Sequence, residues 1–359
     1  NAVPVCIADA QSAGTLYAGY YDLGLWRTQD RGASWKMINP SLPGWNGFGG
    51  NASCVVADSA RTGVLWAAIG ESSKAPYMFR VYRSTDSGGS WGQISTGLPL
   101  TAFLYGLSMD RLSPVATRKL WVTANGALYY STDDGGTWQP ASTAGGLPTT
   151  GLFVTEVDRR NGNTIFVGGW AGLWRSIDGG LNWTKLSAGF DHSSVPGEIG
   201  GLNTVLHRVK WHGPQQILSD PLTPGKVWVT SYMEDTTEIA SLHRGLYMST
   251  NDGGSWSEVR RGPHYRGIAI DSLGRRAMLT SSPATTSGSN GPEIDATAGI
   301  EHGRSTNGLA WTWTPDPDHP DIRYPFGWAV YAGGTGQRWV GIPGYGFMRK
   351  PSAPVAVND

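Results

Sequence analysis

The octet STDDGGTW at residues 131–138 has close copies at Ser84 (STDSGGSW), Ser176 (SIDGGLNW) and Ser249 (STNDGGSW), and a looser one at Thr28 (TQDRGASW). Self-similarity at an interval of about 50 residues is the mark of a repeat architecture, so it bounds the fold before any other feature does. Each copy stands in the same surroundings. An apolar run ending in Asp comes first: VCIAD at 5–9, CVVAD at 54–58, LSMD at 107–110, VTEVD at 154–158, ILSD at 217–220 and IAID at 268–271. A second run follows after a turn, as in TLYAGYY at 15–21 and VWVTSY at 227–232, and a third leads into the octet. GRSTNGLAW at 303–311 is a degraded sixth copy. The last unit has three runs, GWAVYA at 327–332, RWVGIPG at 338–344 and YGFMRK at 345–350, and no octet.

The runs carry the β-branched and aromatic residues of pleated, half-buried strands, and no amphipathic helix interrupts them. Seven units in 359 residues is about 51 each, the period of a propeller blade of four strands. A solenoid repeat is usually shorter, and a sandwich does not repeat a turn sequence. The expectation is therefore all-β: a seven-bladed β-propeller of four-stranded blades, one domain over residues 1–359, with blades beginning near 3, 52, 104, 152, 215, 266 and 326.

Within the octet, Ser and Asp can bond the N–H groups of their own turn, and Gly supplies positive φ where the chain reverses. Here the chain resembles the Asp-box (BNR-repeat) propellers: sialidases, family 74 xyloglucanases, sortilin-type receptors and photosystem II assembly propellers. That resemblance implies a structural octet on the outer edge, away from the ligand face. Asp30, Asp86, Asp133 and Asp178 are the most visible acids, and they are expected not to be catalytic.

Function is then expected on the opposite rim, reached by second-to-third-strand loops and by the connections between blades. Long loops on a compact repeat carry function more often than short turns. Residues 71–80, 187–215, 233–244 and 281–303 exceed the minimal pattern, and all seven His residues lie after residue 190. LYAGYYDLGLWRTQD, from Leu16, resembles the family 74 stretch in which an acid follows the second strand. Asp22 would be that acid, with Tyr21 beside it. The family places one acid on each of two facing propellers, so one ring must supply a second from Glu71, Glu198, Glu234 or Asp235. Glycoside hydrolysis usually needs two carboxylates about 5–10 Å apart. The bland alternative is that Asp22 caps a turn.

A second reading uses RRGPHYRG at 260–267 and LHRVKWHG at 206–213. Arg266 and Arg208 can pair with a uronate carboxylate, and His264, Tyr265 or His207 can take the proton α to it, as in a polysaccharide lyase. Trp45, Tyr77, Trp170 and Trp211 are candidates for stacking on sugar rings. A sialidase fits less well, because no Arg-Ile-Pro occurs and FRVYR at 79–83 enters an octet. A non-catalytic glycan- or protein-binding propeller is the third reading.

The partner expected from all this is a polysaccharide or oligosaccharide. With 28 basic and 28 acidic residues there is no basic excess for nucleic acid. No apolar run reaches the ~18–20 residues of a membrane helix. The chain opens NAVPVC without Met, which reads as a processed or trimmed product, and the composition suggests a secreted or extracytoplasmic protein. No cofactor and no metal site are expected, since the His207–His212 spacing matches no usual ligand pattern. Cys6 and Cys54 read as two buried thiols, with a disulfide left open.

Overall fold

The computed structural model describes residues 3–9, 14–21, 23–39, 50–71, 78–193, 213–220, 222–232, 243–261, 265–271, 273–281, 299–316, 330–332, 338–342 and 346–350. Regular structure among them is entirely β. Six antiparallel sheets have four strands each, hydrogen-bonded in sequence order. Blade 1 is Val3–Asp9, Leu16–Tyr21, Gly24–Thr28 and Lys36–Met37. Blade 2 is Gly50–Ala57, Leu65–Glu71, Met78–Ser84 and Gly92–Gln93. Blade 3 is Leu104–Met109, Leu120–Ala124, Ala127–Ser131 and Gln139–Pro140. Blade 4 is Val154–Val157, Ile165–Gly169, Ala171–Ser176 and Thr184–Asp191. Blade 5 is Gly213–Ser219, Val227–Tyr232, Gly245–Ser249 and Ser257–Arg260. Blade 6 is Tyr265–Ile270, Arg276–Ser281, Ile300–Arg304 and Thr312–Pro315.

The expectation of seven blades is corrected here. Among the described residues there are six four-stranded blades, and Val330–Ala332, Arg338–Ile342 and Gly346–Lys350 form a three-stranded sheet instead. No octet follows that last strand to turn a fourth one back. The first strand of each blade touches the first strand of the next, and the three-stranded sheet touches blades 6 and 1. First strands therefore surround the axis, and the blades bury their faces against one another.

This packing explains the strand sequences. Second strands are sandwiched on both faces, so Leu120–Ala124 and Val227–Tyr232 are buried at every position. Trp66, Trp121 and Trp228 hold the same place in blades 2, 3 and 5 and are 0–1% exposed. Burying such a ring contributes on the order of 2–3 kcal/mol. Thr123 and Thr230, also wholly buried, are satisfied twice. Their side-chain oxygens accept from Gly106 N (2.8 Å) and Gln216 N (3.1 Å), and donate to Phe153 O (3.0 Å) and Arg266 O (2.9 Å) of the next blade. The acceptor role answers a bulge. The register of the first strand slips between Pro4 and Cys6, Ala52 and Cys54, Pro214 and Gln216, and Tyr265 and Gly267. Cys6 and Cys54 are free thiols; Cys54 belongs to the core between blades 2 and 3, and Cys6 packs against that core and against the one between blades 1 and 2. Burial pushes Cys54 up to about 12.

The octets join blade to blade. The residue after the octet Asp or Asn takes positive φ in each of the six copies: Arg31, Ser87, Asp134, Gly179, Asp252 and Gly308. In the first five copies its N–H turns to the first-to-second-strand turn of its own blade, as in Ser87 N to Gly63 O (2.9 Å) and Asp252 N to Gly225 O (2.8 Å), and in the sixth Gly308 N donates to Ser305 Oγ (2.8 Å). Its carbonyl turns to the preceding blade, where a side chain donates to it. The pairs are Arg27 to Ser87 O (2.7 Å), Trp66 to Asp134 O (3.0 Å), Lys119 to Gly179 O (2.7 Å), Arg175 to Asp252 O (2.5 Å) and Lys226 to Gly308 O (2.6 Å). Lys119 and Lys226 lie across Trp121 and Trp228 of their own blades at 4.9 and 5.0 Å, which adds cation–π attraction. Between blades 2 and 3 the latch becomes a buried network. Arg118 and Arg61 both bind Asp58, and Arg61 and Arg83 both bind Asp134.

Candidate functional site

The octet carboxylates come first, being the most numerous acids in one motif. Asp86 Oδ1 accepts from Ser84 Oγ (2.8 Å) and Ser90 N (2.8 Å), and its Oδ2 from Ser90 Oγ (2.7 Å). Asp30, Asp133 and Asp178 repeat the pattern. In blade 5 Asn251 replaces the acid, and its Oδ1 accepts from the same two positions, Ser249 Oγ and Ser255 N. The hairpin needs the oxygen, not the charge. The hydroxyl and N–H of Ser90 hold Asp86 at about 2, those of Ser34 do the same for Asp30, and the N–H and amide of Asn182 for Asp178. Such a group gives up no proton near neutrality and is a poor general acid.

An acid-stability prediction follows from these shifts. A carboxyl lowered in the folded state contributes fully above its unfolded value, about 3.9, and its contribution is lost as pH falls through the folded value, about 2. Thermal melts are expected to be flat above pH ~4 and to drop steeply between pH ~4 and ~2. Asp86→Asn, copying blade 5, should shallow that drop; an unchanged profile would contradict the assignment.

Strand order puts the octets and the Asp-ended first-strand turns at one end of every blade. The second-to-third-strand loops and the inter-blade connections lie at the other. Of the residues expected there, Asp22, Trp45, Tyr77, Glu198, His207, Arg208, Trp211, Glu234, Asp235 and His264 lie outside the described residues. Tyr21 and Glu71 end second strands at that rim, opposite Val3 and Gly50. Trp170 occupies the turn between the second and third strands of blade 4. It is half-buried against Tyr105 and Phe153, and Phe103 joins the same cluster. Phe103 stacks on Tyr105 at 6.1 Å, and Tyr105 meets Phe153 edge-on at 5.1 Å. An aromatic run thus crosses the rim from blade 3 to blade 4.

The blade 5–6 rim brings Tyr265 together with two groups that sequence reasoning did not pair with it. Tyr265, 3% exposed, donates its hydroxyl to Glu301 Oε2 at 2.6 Å, and Arg260 Nη2 donates to Glu301 Oε1 at 2.6 Å. Burial and the hydrogen bond to Glu301 push the Tyr265 phenol well up, so it holds its proton. Arg266, 6% exposed, leaves the ladder at the blade 6 bulge. Its guanidinium lies 4.1 Å from the Tyr232 ring centre and donates to Gln215 Oε1 at 3.4 Å. Bulges re-aim side chains in this way beside functional sites. Nearby, His243 stacks on Tyr247 at 4.4 Å, and burial lowers its pKa. Glu301 was missed although a signal existed. Counting back from the octet Ser, its place is Gly24, Ala127, Gly172 or Gly245 in blades 1, 3, 4 and 5. Among the described residues no cluster of three His, Cys, Asp or Glu could hold a metal ion. No helix of the described residues is long and apolar enough to cross a membrane.

Fold and rim define a β-propeller of four-stranded blades. No family model matches the chain, and no curated protein does. Solved structures similar to it include an ancestral GH74 enzyme, with TM-score 0.60 and 13% identity over 95% of this chain and 43% of that one. The extracellular domain of a hybrid two component system from B. thetaiotaomicron gives TM-score 0.62 and 16% identity over 97% of this chain and 38% of that one. YCF48 bound to D1 peptide gives TM-score 0.58 and 13% identity over 98% and 94%. The chain thus spans less than half the length of the first two. At these identities the likeness is one of fold.

Proposed function

We propose that this chain is an extracytoplasmic, carbohydrate-active propeller whose octets are Asp-box repeats and whose ligand, a polysaccharide, lies on the rim opposite them. The observation that carries this reading is the division between the two ends. The octet acids are saturated by their own hairpins, while the other rim gathers non-repeating aromatic, acidic and basic groups. The likeness to a GH74 enzyme supports glycoside hydrolysis, with Asp22 as one acid and a second drawn from Glu71, Glu198 or Glu234. The run through Phe103 and Trp170 would stack on sugar rings, and Glu301, fixed by Tyr265 and Arg260, would accept from a sugar hydroxyl on its remaining lone pairs.

A second reading is favoured by the cationic flank of blades 5 and 6. In a uronic-acid lyase, Arg266 or Arg260 would bind the carboxylate and His264 would take the α proton. Tyr265 would act as donor to the leaving oxygen, not as base, because its phenol is raised.

The test is incubation of wild type, Asp22→Ala and Tyr265→Phe with neutral and uronic polysaccharides. Reducing ends and the ultraviolet absorbance of unsaturated uronates are recorded. The expected result is new reducing ends without absorbance, lost about 10²-fold or more in Asp22→Ala. Absorbance that survives Asp22→Ala and falls in Tyr265→Phe favours the lyase. Silence on every substrate, with binding retained, leaves a glycan-binding module, and silence with no binding overturns the proposal.

A further inference from the structure

Exposed apolar side chains are unevenly placed on this ring. Among the described residues, every exposed large one but Leu100 stands in an octet or in a first-to-second-strand turn, at the octet end of blades 3 to 6. Three of them gather on blades 5 and 6: Leu222 (48% exposed), Leu273 (71%) and Leu309 (53%). Leu222 and Leu273 belong to neighbouring turns, and Leu309 to the blade 6 octet. A Cβ on Gly274 would touch Leu222 Cδ1 at 3.9 Å, and one on Gly308 would stand 3.4 Å from Gly274 O. Ser305 N donates to Arg275 O at 2.9 Å, and Lys226 Nζ to Gly308 O at 2.6 Å. The leucines therefore flank two glycines packed against each other, and they form one patch.

The exposed charge around the patch has one sign. Arg160, Arg275, Arg276 and Arg304 are exposed at the same end. Arg160 reaches the patch itself, donating from Nη1 to Leu222 O at 2.6 Å. Arg276 and Arg304 are partners in the ladder, where like charges opposite each other destabilise a sheet. Among the described residues no carboxylate pairs with Arg275, Arg276 or Arg304. The acids of these turns are engaged or withdrawn. Asp220 pairs with Lys226 at 3.2 Å, Asp271 Oδ1 accepts from the N–H groups of Arg275 (2.8 Å) and Arg276 (3.2 Å), and Asp252 is half-buried. The octets add no acid at their third position here, because Asn251 and Asn307 replace the Asp of blades 1–4.

Apolar patches rimmed by polar groups mark interaction surfaces, and the charge selects the partner. An acidic polymer would meet the arginines but gain nothing from leucines that project from separate turns. An anionic bilayer meets both. Its phosphate headgroups fit the guanidinium forks, and apolar tips enter the boundary between headgroups and acyl chains. Neither signal alone holds a protein firmly on a membrane, and here the two coincide. We propose that the octet end of blades 5 and 6 docks on an anionic lipid surface, with Leu222, Leu273 and Leu309 entering it and Arg160, Arg275, Arg276 and Arg304 on its headgroups. This surface stands apart from the rim, so it holds or fails independently of the proposed function.

The test is co-sedimentation of the whole chain with phosphatidylcholine vesicles, alone or containing about one third phosphatidylglycerol. Saturable binding to the anionic vesicles only is expected, and it should fall as sodium chloride is raised. Leu222→Ser, Leu273→Ser and Leu309→Ser combined should weaken it about tenfold or more, and so should Arg275→Gln with Arg304→Gln. All five side chains are exposed, so both variants should melt as wild type. Leu100, 79% exposed in the connection between blades 2 and 3, supplies the control: Leu100→Ser should bind as wild type. No binding to the anionic vesicles, or binding equal in wild type and both variants, overturns the proposal. Two other results overturn it in favour of a different occupant. Binding to polygalacturonate and not to vesicles, lost in the arginine variant and kept in the leucine variant, assigns an acidic polymer. A wild-type dimer that ignores vesicles and that the leucine variant makes monomeric assigns a second copy of this chain.

Discussion

Asp58→Ala is expected to lower the unfolding free energy by about 3–5 kcal/mol, the range for breaking a buried ion pair by removing one partner. The Asp58 side chain is wholly buried and that of Arg118 is 3% exposed, so the variant strands a cation with no access to water. Burial alone would raise the Asp58 carboxyl, yet Arg118, the N–H of Ala60 and Arg61 together hold it at about 2. The loss also propagates, because Arg61 carries the network on to Asp134 in the octet of blade 3. Asp58→Ala with Arg118→Met should cost less than Asp58→Ala alone, since the cation that the single variant strands is removed with its partner. Urea unfolding at pH 7 measures both. A loss under about 1 kcal/mol for the single variant would show that the network contributes little net stability.

Gly145→Ala is expected to cost on the order of 3 kcal/mol, combining left-handed strain with overpacking. Gly145 has φ +83°, and a Cβ there would overlap the carbonyl of Trp183 in the next octet. That obstacle is backbone and cannot rotate aside. Trp183 N also donates to Ala144 O at 2.9 Å, so separating the segments to make room breaks an inter-blade bond. Gly92→Ala is the control, since its nearest neighbour would stand 4.0 Å away. Equal melting temperatures for the two variants would refute the close approach.

The strands and hairpins were legible because the blade repeats its chemistry. An Asp-ended first strand, an apolar second strand and an octet recur in register, and each has a local cause. The blade count failed where that cause stops. YGFMRK reads as a third strand, but no octet follows to return a fourth. The latches between blades were not legible, since Lys119 and Gly179, or Arg27 and Ser87, are 60 residues apart and meet because the ring brings them together. The bulges that release Gln215 and Arg266 leave no mark in a pattern of period two. Tyr265 and Arg266 stood out by residue type, but their partners Glu301, Tyr232 and Gln215 come from three other strands.

The division between shape at the octets and chemistry at the rim is tested most directly by one paired measurement. Asp133→Ala and Asp22→Ala are each assayed for melting temperature and for polysaccharide cleavage, or for binding where no cleavage occurs. Asp133→Ala is expected to melt lower and keep its specific activity while folded, and Asp22→Ala to melt as wild type and lose it. Activity lost in a stable Asp133→Ala and retained in Asp22→Ala would contradict that division.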